Sequence, residues 1–230
     1  MTYLELVQRL RSETGIAGSG PTSIATATYD LARLAVWVNM AYKDIVMKWK
    51  DWKFLWDTAT FNTVASQSDY AVGVTNQLPA DLKMLDEVTV RIGTDLQQME
   101  YVPFRDYRKD QQSWGTTAVE TPAFFTVLPN NSIRLLPAPT GVKAIAFDYY
   151  VKAPDLALDT DEPLIPEDYH DIIIHRAKMF WAQFEESPFE LQGAQSEFDL
   201  AMKQLEADYG PSTNFEHARA RGGDIVVRAE

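Results

Sequence analysis

The chain has 230 residues, of which 46% are apolar and 23% charged; that is enough for a real core and excludes an intrinsically disordered chain. A formal net charge of −12 with no basic block excludes a tight grip on nucleic-acid phosphates, and the absence of cysteine excludes disulfides, thiolate nucleophiles and Cys-ligated zinc. No apolar run approaches the roughly 18–20 residues that cross a bilayer, and no signal-peptide pattern opens the chain, so assembly in the cytoplasm is expected.

Thr2 and Glu5 have capping-box spacing, and Leu4, Val7, Leu10 and Arg11 follow helical spacing behind them, so a helix is predicted over about 3–13. The Gly-rich run to Pro21 ends it. A longer helix is predicted over 29–53: Leu31, Leu34, Val38, Ala41, Ile45, Trp49 and Trp52 recur at steps of three and four. Trp37 lies off that stripe and is a candidate subunit contact. From about 57 to 153 the period falls to two. Val88, Val90 and Ile92 alternate with polar residues, as do Ile145, Phe147, Tyr149 and Val151. Asn130-Asn131-Ser132 reads as a hairpin turn between 125–128 and 133–136. Four to seven short strands are predicted, forming a small antiparallel sheet or sandwich.

Helix returns at Pro166, whose fixed φ suits a first helical position. Glu167, Asp168 and Asp171 favour the positive end of the helix dipole. Ile172, Ile173, Arg176, Ala177, Phe180, Trp181 and Phe184 carry the pattern on. Ser187-Pro188 breaks it. A fourth helix follows, with Leu191, Ala194, Phe198, Ala201, Met202, Leu205 and Tyr209 on one face, and Gly210-Pro211 stops it. The fold class is therefore α+β. A four-helix bundle-like domain comes from 1–56 plus 160–210, a small antiparallel β domain from 57–159 is inserted in it, and 211–230 forms an extended C-terminal tail. The tail is too short for a core of its own and gains order only on another chain. Phe215, Arg219, Arg221, Ile225, Val226 and Val227 are its candidate docking residues; the last three form a β-prone run of the type that adds to a sheet edge.

Chemistry has few candidates. His170 and His175 lie about 140° apart around a helix, whereas helical metal pairs stack at i and i+4. Asp171 and His175 have that spacing, and a surface salt bridge or hydrogen bond accounts for it. The acids Asp155, Asp159, Asp161, Glu162, Glu167 and Asp168 fail as an EF-hand loop: counted from Asp155, the sixth position is Thr160 and the twelfth Pro166, where Gly and Glu are needed. They read as a solvated linker and helix start. Adjacent carboxylates Asp86-Glu87 and Glu185-Glu186 point apart rather than facing across a sugar. No nucleophile-elbow, dinucleotide or Walker pattern occurs. No catalytic, cofactor or metal residue is assigned. Trp37, Trp49, Trp52, Phe54 and Trp56 could stack bases or sugars, but at helical spacing they read as core.

The order of these parts resembles the head–tail adaptor, or connector, proteins of podovirus-like and related tailed bacteriophages. The run 6–21, Leu-Val-Gln-Arg-Leu-Arg-Ser-Glu-Thr-Gly-Ile-Ala-Gly-Ser-Gly-Pro, looks like the family's opening helix and Gly-rich turn. The segment 34–56, with Trp37-Val38-Asn39, Asp44-Ile45 and Trp52-Lys53-Phe54-Leu55, looks like its second helix. Leu78-Pro79-Ala80-Asp81-Leu82 and Leu135-Leu136-Pro137-Ala138-Pro139 resemble its strand-edge motifs. Leu164-Ile165-Pro166-Glu167-Asp168-Tyr169-His170-Asp171-Ile172-Ile173 resembles the start of its third helix. No one motif is specific; order and spacing over 1–210 carry the likeness.

The resemblance implies a non-enzymatic virion structural protein of the neck, assembled in the host cytoplasm. Twelve copies would form a ring beneath the portal protein, with side-by-side helical bundles. The ring would extend the DNA channel and offer a platform to the downstream tail, nozzle or tail-tube protein, with the tail residues above reaching the portal or a neighbour. DNA would pass through the lumen without specific binding, past a wall whose acidity repels phosphates. No membrane is involved. The alternative is a carbohydrate-binding or hydrolytic tail module, which would need a β cleft with exposed aromatics and facing carboxylates. A scaffold or chaperone that leaves after assembly is a further rival, told apart by its absence from particles.

Overall fold

The computed structural model describes residues 1–211 apart from Ser19, Gln112, Ser113, Gly115 and Thr116. It is mixed α+β, with five helices and two small sheets among those residues.

Helix α1 spans Tyr3–Thr14. The capping box forms as the sequence predicts: Thr2 Oγ1 accepts from the Glu5 amide at 3.3 Å and Glu5 Oε2 accepts from the Thr2 amide at 2.8 Å. Two further first-turn donors find partners far along the chain. The Tyr3 and Leu4 amides donate to the carbonyls of Asp161 and Asp159 at 2.7 and 3.2 Å, so the linker before the third long helix closes the start of the first.

Helix α2 spans Tyr29–Lys48, not 29–53. Trp49 is extended, and a 3₁₀ turn over Lys53–Leu55 follows. Trp49 and Trp52 continue the three–four spacing by coincidence. Leaving the helix at Trp49 lets Trp52 bury completely and stack on Phe54 at 5.2 Å.

Strand β1 (Trp56–Asn62) pairs along its length with the last strand, β9 (Ala144–Val151). The other edge of β9 is shared by β3 (Leu82–Leu85) and β4 (Arg91–Ile92), and β4 carries β5 (Gln97–Gln98). The second sheet runs β2 (Asp69–Tyr70), β8 (Ile133–Leu136), β7 (Phe124–Val127), β6 (Glu100–Tyr101). All pairs are antiparallel except β6 with β7, so the expectation of a wholly antiparallel sheet is corrected at that one edge. Nine strands exceed the four to seven predicted, because several are only two residues long.

The predicted strand over 88–92 shrinks to β4. Asp86 holds the preceding residues in a turn, its Oδ1 accepting from the Val88 amide at 3.1 Å and its carbonyl from the Thr89 amide at 3.3 Å. The Asn130-Asn131 turn forms as read: Asn131 adopts φ 63°, and the Ser132 carbonyl accepts from the Leu128 amide at 2.8 Å. The short helix α3 (Phe104–Lys109) packs beside β7.

Pro166 is extended and precedes a 3₁₀ turn over Glu167–Tyr169; helix α4 begins at Asp171 and ends at Phe184. Pro188 takes the first position of α5 (Pro188–Tyr209). Helix α4 packs on α1, α2 and α5. One core joins Leu6, Leu10, Leu34, Val38, Ile45, Trp52, Ile173, Ala177, Met202 and Leu205 from these helices. A second core draws on both sheets, with Phe61 of β1 meeting Tyr70 of β2 at 4.8 Å. Leu156, in the linker after β9, buries in the helical core.

Candidate interaction surfaces

Helix α2 is apolar on two opposite sides. Its inner face (Leu34, Val38, Ala41, Ile45) is sealed in the helical core. Its outer side carries Tyr29, Val36, Met40 and Met47, all exposed. Trp37 sits at the rim between the two faces and is half-buried. Its ring meets Phe184, the last residue of α4, at 5.8 Å, and Arg33 lies 4.1 Å from the Phe184 centroid. A guanidinium over a ring face is a favourable cation–π pair. Phe184 itself is 54% exposed, so the α4 stripe read as continuous to Phe184 ends one turn early, and that ring turns outward to form a shelf with Trp37.

The C-terminal end of α2 is tied to α5. Lys48 Nζ reaches Glu206 Oε1 at 2.9 Å, and Trp49 Nε1 donates to the same oxygen at 3.0 Å. The hydrogen bond from Lys48, supported by Trp49, holds the Glu206 carboxyl below its ordinary value. Trp52, Phe54, Tyr209 and Tyr169 form a relay of rings at 5.2, 6.1 and 5.8 Å. The tryptophans grouped by sequence as one set therefore divide: Trp52 is core, Trp37 a rim residue, and Trp49 and Trp56 are partly exposed.

The polar candidates are absorbed by structure. Burial lowers the His170 pKa; its Nε2 lies 2.8 Å from the Ile165 carbonyl and its Nδ1 2.8 Å from the amino group of Met1. His175 pairs with Glu197 at 3.1 Å across the α4–α5 contact, rather than with Asp171. The pairing is an ion-pair approach off the hydrogen-bond axis, since Nδ1 has no hydrogen-bond partner. It borders a shallow cavity of about 300 Å³ lined by Tyr169, Ile172, Glu197 and Leu200. Among the described residues no three His, Asp or Glu side chains converge to hold a metal.

The acidic linker is a clasp. Asp161 Oδ2 accepts from the Ala157 and Leu158 amides at 2.7 and 2.8 Å, which lowers its pKa. Asp159 Oδ1 accepts from the Ile24 amide at 2.6 Å, and Asp155 pairs with Lys43 at 2.6 Å. These long-range partners carry no local sequence signal.

In the β region, Arg134 grips Asp69 through two parallel bonds of 2.5 and 2.6 Å and donates to the Tyr107 hydroxyl at 2.8 Å. The bonds to Asp69 raise the guanidinium pKa. Tyr149 Oη reaches both Asp57 and Asp81, at 3.3 and 3.4 Å. Burial pushes it up to about 12, and the two carboxylates add to the effect. These carboxylates share a phenol and do not face one another across a cleft. The docking residues Phe215, Arg219, Arg221, Ile225, Val226 and Val227 lie outside the described residues.

Among the described residues no helix is long and apolar enough to cross a membrane. The family model described as SU10 adaptor protein matches residues 1–221. No curated protein matches the chain.

Proposed function

We propose, from the premise that this chain belongs to the SU10 adaptor protein family, a phage head–tail adaptor family, that it is a ring subunit of the virion neck. Twelve copies attach beneath the portal, extend the DNA channel and give the next tail component its platform. The observation that carries this reading is the family match over 1–221, which takes in the helices, both sheets and the first part of the tail.

The physical features support it. The subunit works by assembly, not turnover. Residues 1–56 and 160–210 form the ring-building unit, 57–159 the platform, and Trp37 lies at the subunit contact. Apolar rows left outside a filled core need neighbours. A net charge of −12 lets DNA phosphates pass a wall that repels them. Tail residues Phe215, Arg219, Arg221, Ile225, Val226 and Val227 clasp the portal or a neighbouring subunit.

Protein mass spectrometry of purified phage particles, with gold-labelled antibody located by electron microscopy, tests the reading. The chain is expected at the head–tail junction of mature particles. Its absence from particles, or label at the tail tip with turnover of peptidoglycan, would overturn it.

A further inference from the structure

Two helices carry a second apolar row aimed away from the core. On α2 the row is Tyr29, Arg33, Val36, Met40, Lys43 and Met47; on α5 it is Phe189, Gly193, Ser196, Leu200, Lys203 and Ala207. At 100° per residue each row is centred about 180° from the buried face of its helix. Their large members are open to solvent: Tyr29 is 90% exposed, Met47 74%, Phe189 84% and Leu200 62%. The rows differ in size. The α2 row is bulky, whereas the α5 row is mostly small, and at Gly193 an added Cβ would meet nothing within 4 Å.

The two helices flank α4, which packs on both. They also run in the same direction. Arg33, near the start of α2, covers Phe184 beside the start of α5, and Lys48 at the end of α2 meets Glu206 near the end of α5. Met40 and Leu200 therefore stand at similar heights on opposite flanks of the layer. Charge is complementary as well. Helix α2 carries Arg33, Lys43 and Lys48 against Asp30 and Asp44, a net of +1, and α5 carries Glu190, Glu197, Asp199, Glu206 and Asp208 against Lys203, a net of −4.

We infer that the outer row of α2 in one copy packs on the outer row of α5 in the next, with the helices parallel, so that bulky Val36, Met40 and Met47 seat among Gly193, Ser196 and Ala207. A contact between two different faces of one chain is heterologous, repeats from copy to copy and closes a ring when the rotation allows. Parallel packing follows because rotation about a ring axis keeps heights, and α2 and α5 already share their direction. The Trp37–Phe184 shelf borders this contact. The inference rests on the ring reading above and adds which faces meet.

The absence of native cysteine makes the test direct. Phage particles are prepared carrying Met40→Cys with Leu200→Cys, Val36→Cys with Ser196→Cys, each substitution alone, and Met40→Cys with Val142→Cys as an off-row pair. Mild oxidation, or a short bismaleimide, is followed by denaturing electrophoresis. All the sites except Ser196 carry exposed apolar residues and Ser196 is exposed too; thermal unfolding of each purified variant checks that it folds. The expected result is a ladder at multiples of the chain mass for one or both matched pairs, with each single variant and the off-row pair staying at one chain mass. Cross-linking by Met40→Cys alone would mean that α2 meets α2 and would overturn the inference, as would cross-linking to a chain of another mass. Particles that contain the chain yet give no ladder from either pair would remove this interface while leaving the ring reading intact. Particles without the chain would remove the ring reading itself.

Discussion

Trp52 is the residue on which the junction between helices and sheets turns. It is fully buried and stacks on Phe54 at 5.2 Å, in the segment that leaves α2 and leads into β1. Truncation to alanine removes an indole from a packed core, which costs about 3–5 kcal/mol and is a large share of the stability of an ordinary domain. The indole N–H has no hydrogen-bond partner, so Trp52→Phe gives up ring volume but removes a buried unpaired donor, a recovery of about 1–3 kcal/mol. The two variants should therefore differ widely: Trp52→Ala strongly destabilised, Trp52→Phe within about 1.5 kcal/mol of the parent. Urea unfolding followed by far-ultraviolet circular dichroism, at constant m-value, reads both. If Trp52→Ala unfolds within about 1 kcal/mol of the parent, the indole is not in the core and the early end of α2 is wrong.

Four other expectations follow from single sites. Asp161→Asn loses its carboxylate bonds to the Ala157 and Leu158 amides; because the folded pKa lies below the ordinary value, the stability Asp161 adds is present above that value and fades as pH falls through the folded pKa. The gap in urea midpoint between parent and variant should thus be open at pH 7 and close in strong acid. His170 has a folded pKa below 6.5, so the unfolded chain takes up its proton first and stability declines as pH drops below 6.5; His170→Gln should flatten that slope between pH 7 and 5. Arg134→Lys breaks the two-bond grip on Asp69, which is partly exposed, and should cost about 1 kcal/mol in urea unfolding. At Gly210 an added Cβ would stand 2.3 Å from the Glu206 carbonyl oxygen, so Gly210→Ala should shift the end of α5 and lower stability by more than about 1 kcal/mol.

Local signals were readable and long-range ones were not. The Thr2–Glu5 box, the Asn130-Asn131 turn and the alternation of Ile145, Phe147 and Tyr149 involve neighbours in sequence or one face of one strand, and they stand where the spacing puts them. The end of α2 was hidden because Trp49 and Trp52 keep the helical spacing while the backbone has left the helix. Val88 alternates with its neighbours, yet Asp86 holds that stretch in a turn. The clasp by Asp159 and Asp161 pairs residues more than a hundred positions apart. On α2 both rows have helical spacing, and only the packing of α1 and α4 decides that Leu34 and Ile45 go in while Met40 and Met47 stay out.

The central claim is that this chain is a neck adaptor that joins copies of itself to a portal. Native mass spectrometry of the purified chain, alone and mixed with the portal protein of the same phage, tests it most directly. The account predicts a defined complex in which many copies of the chain ride on one portal ring; a chain that stays monomeric in both samples, with portal rings of unchanged mass, would contradict it.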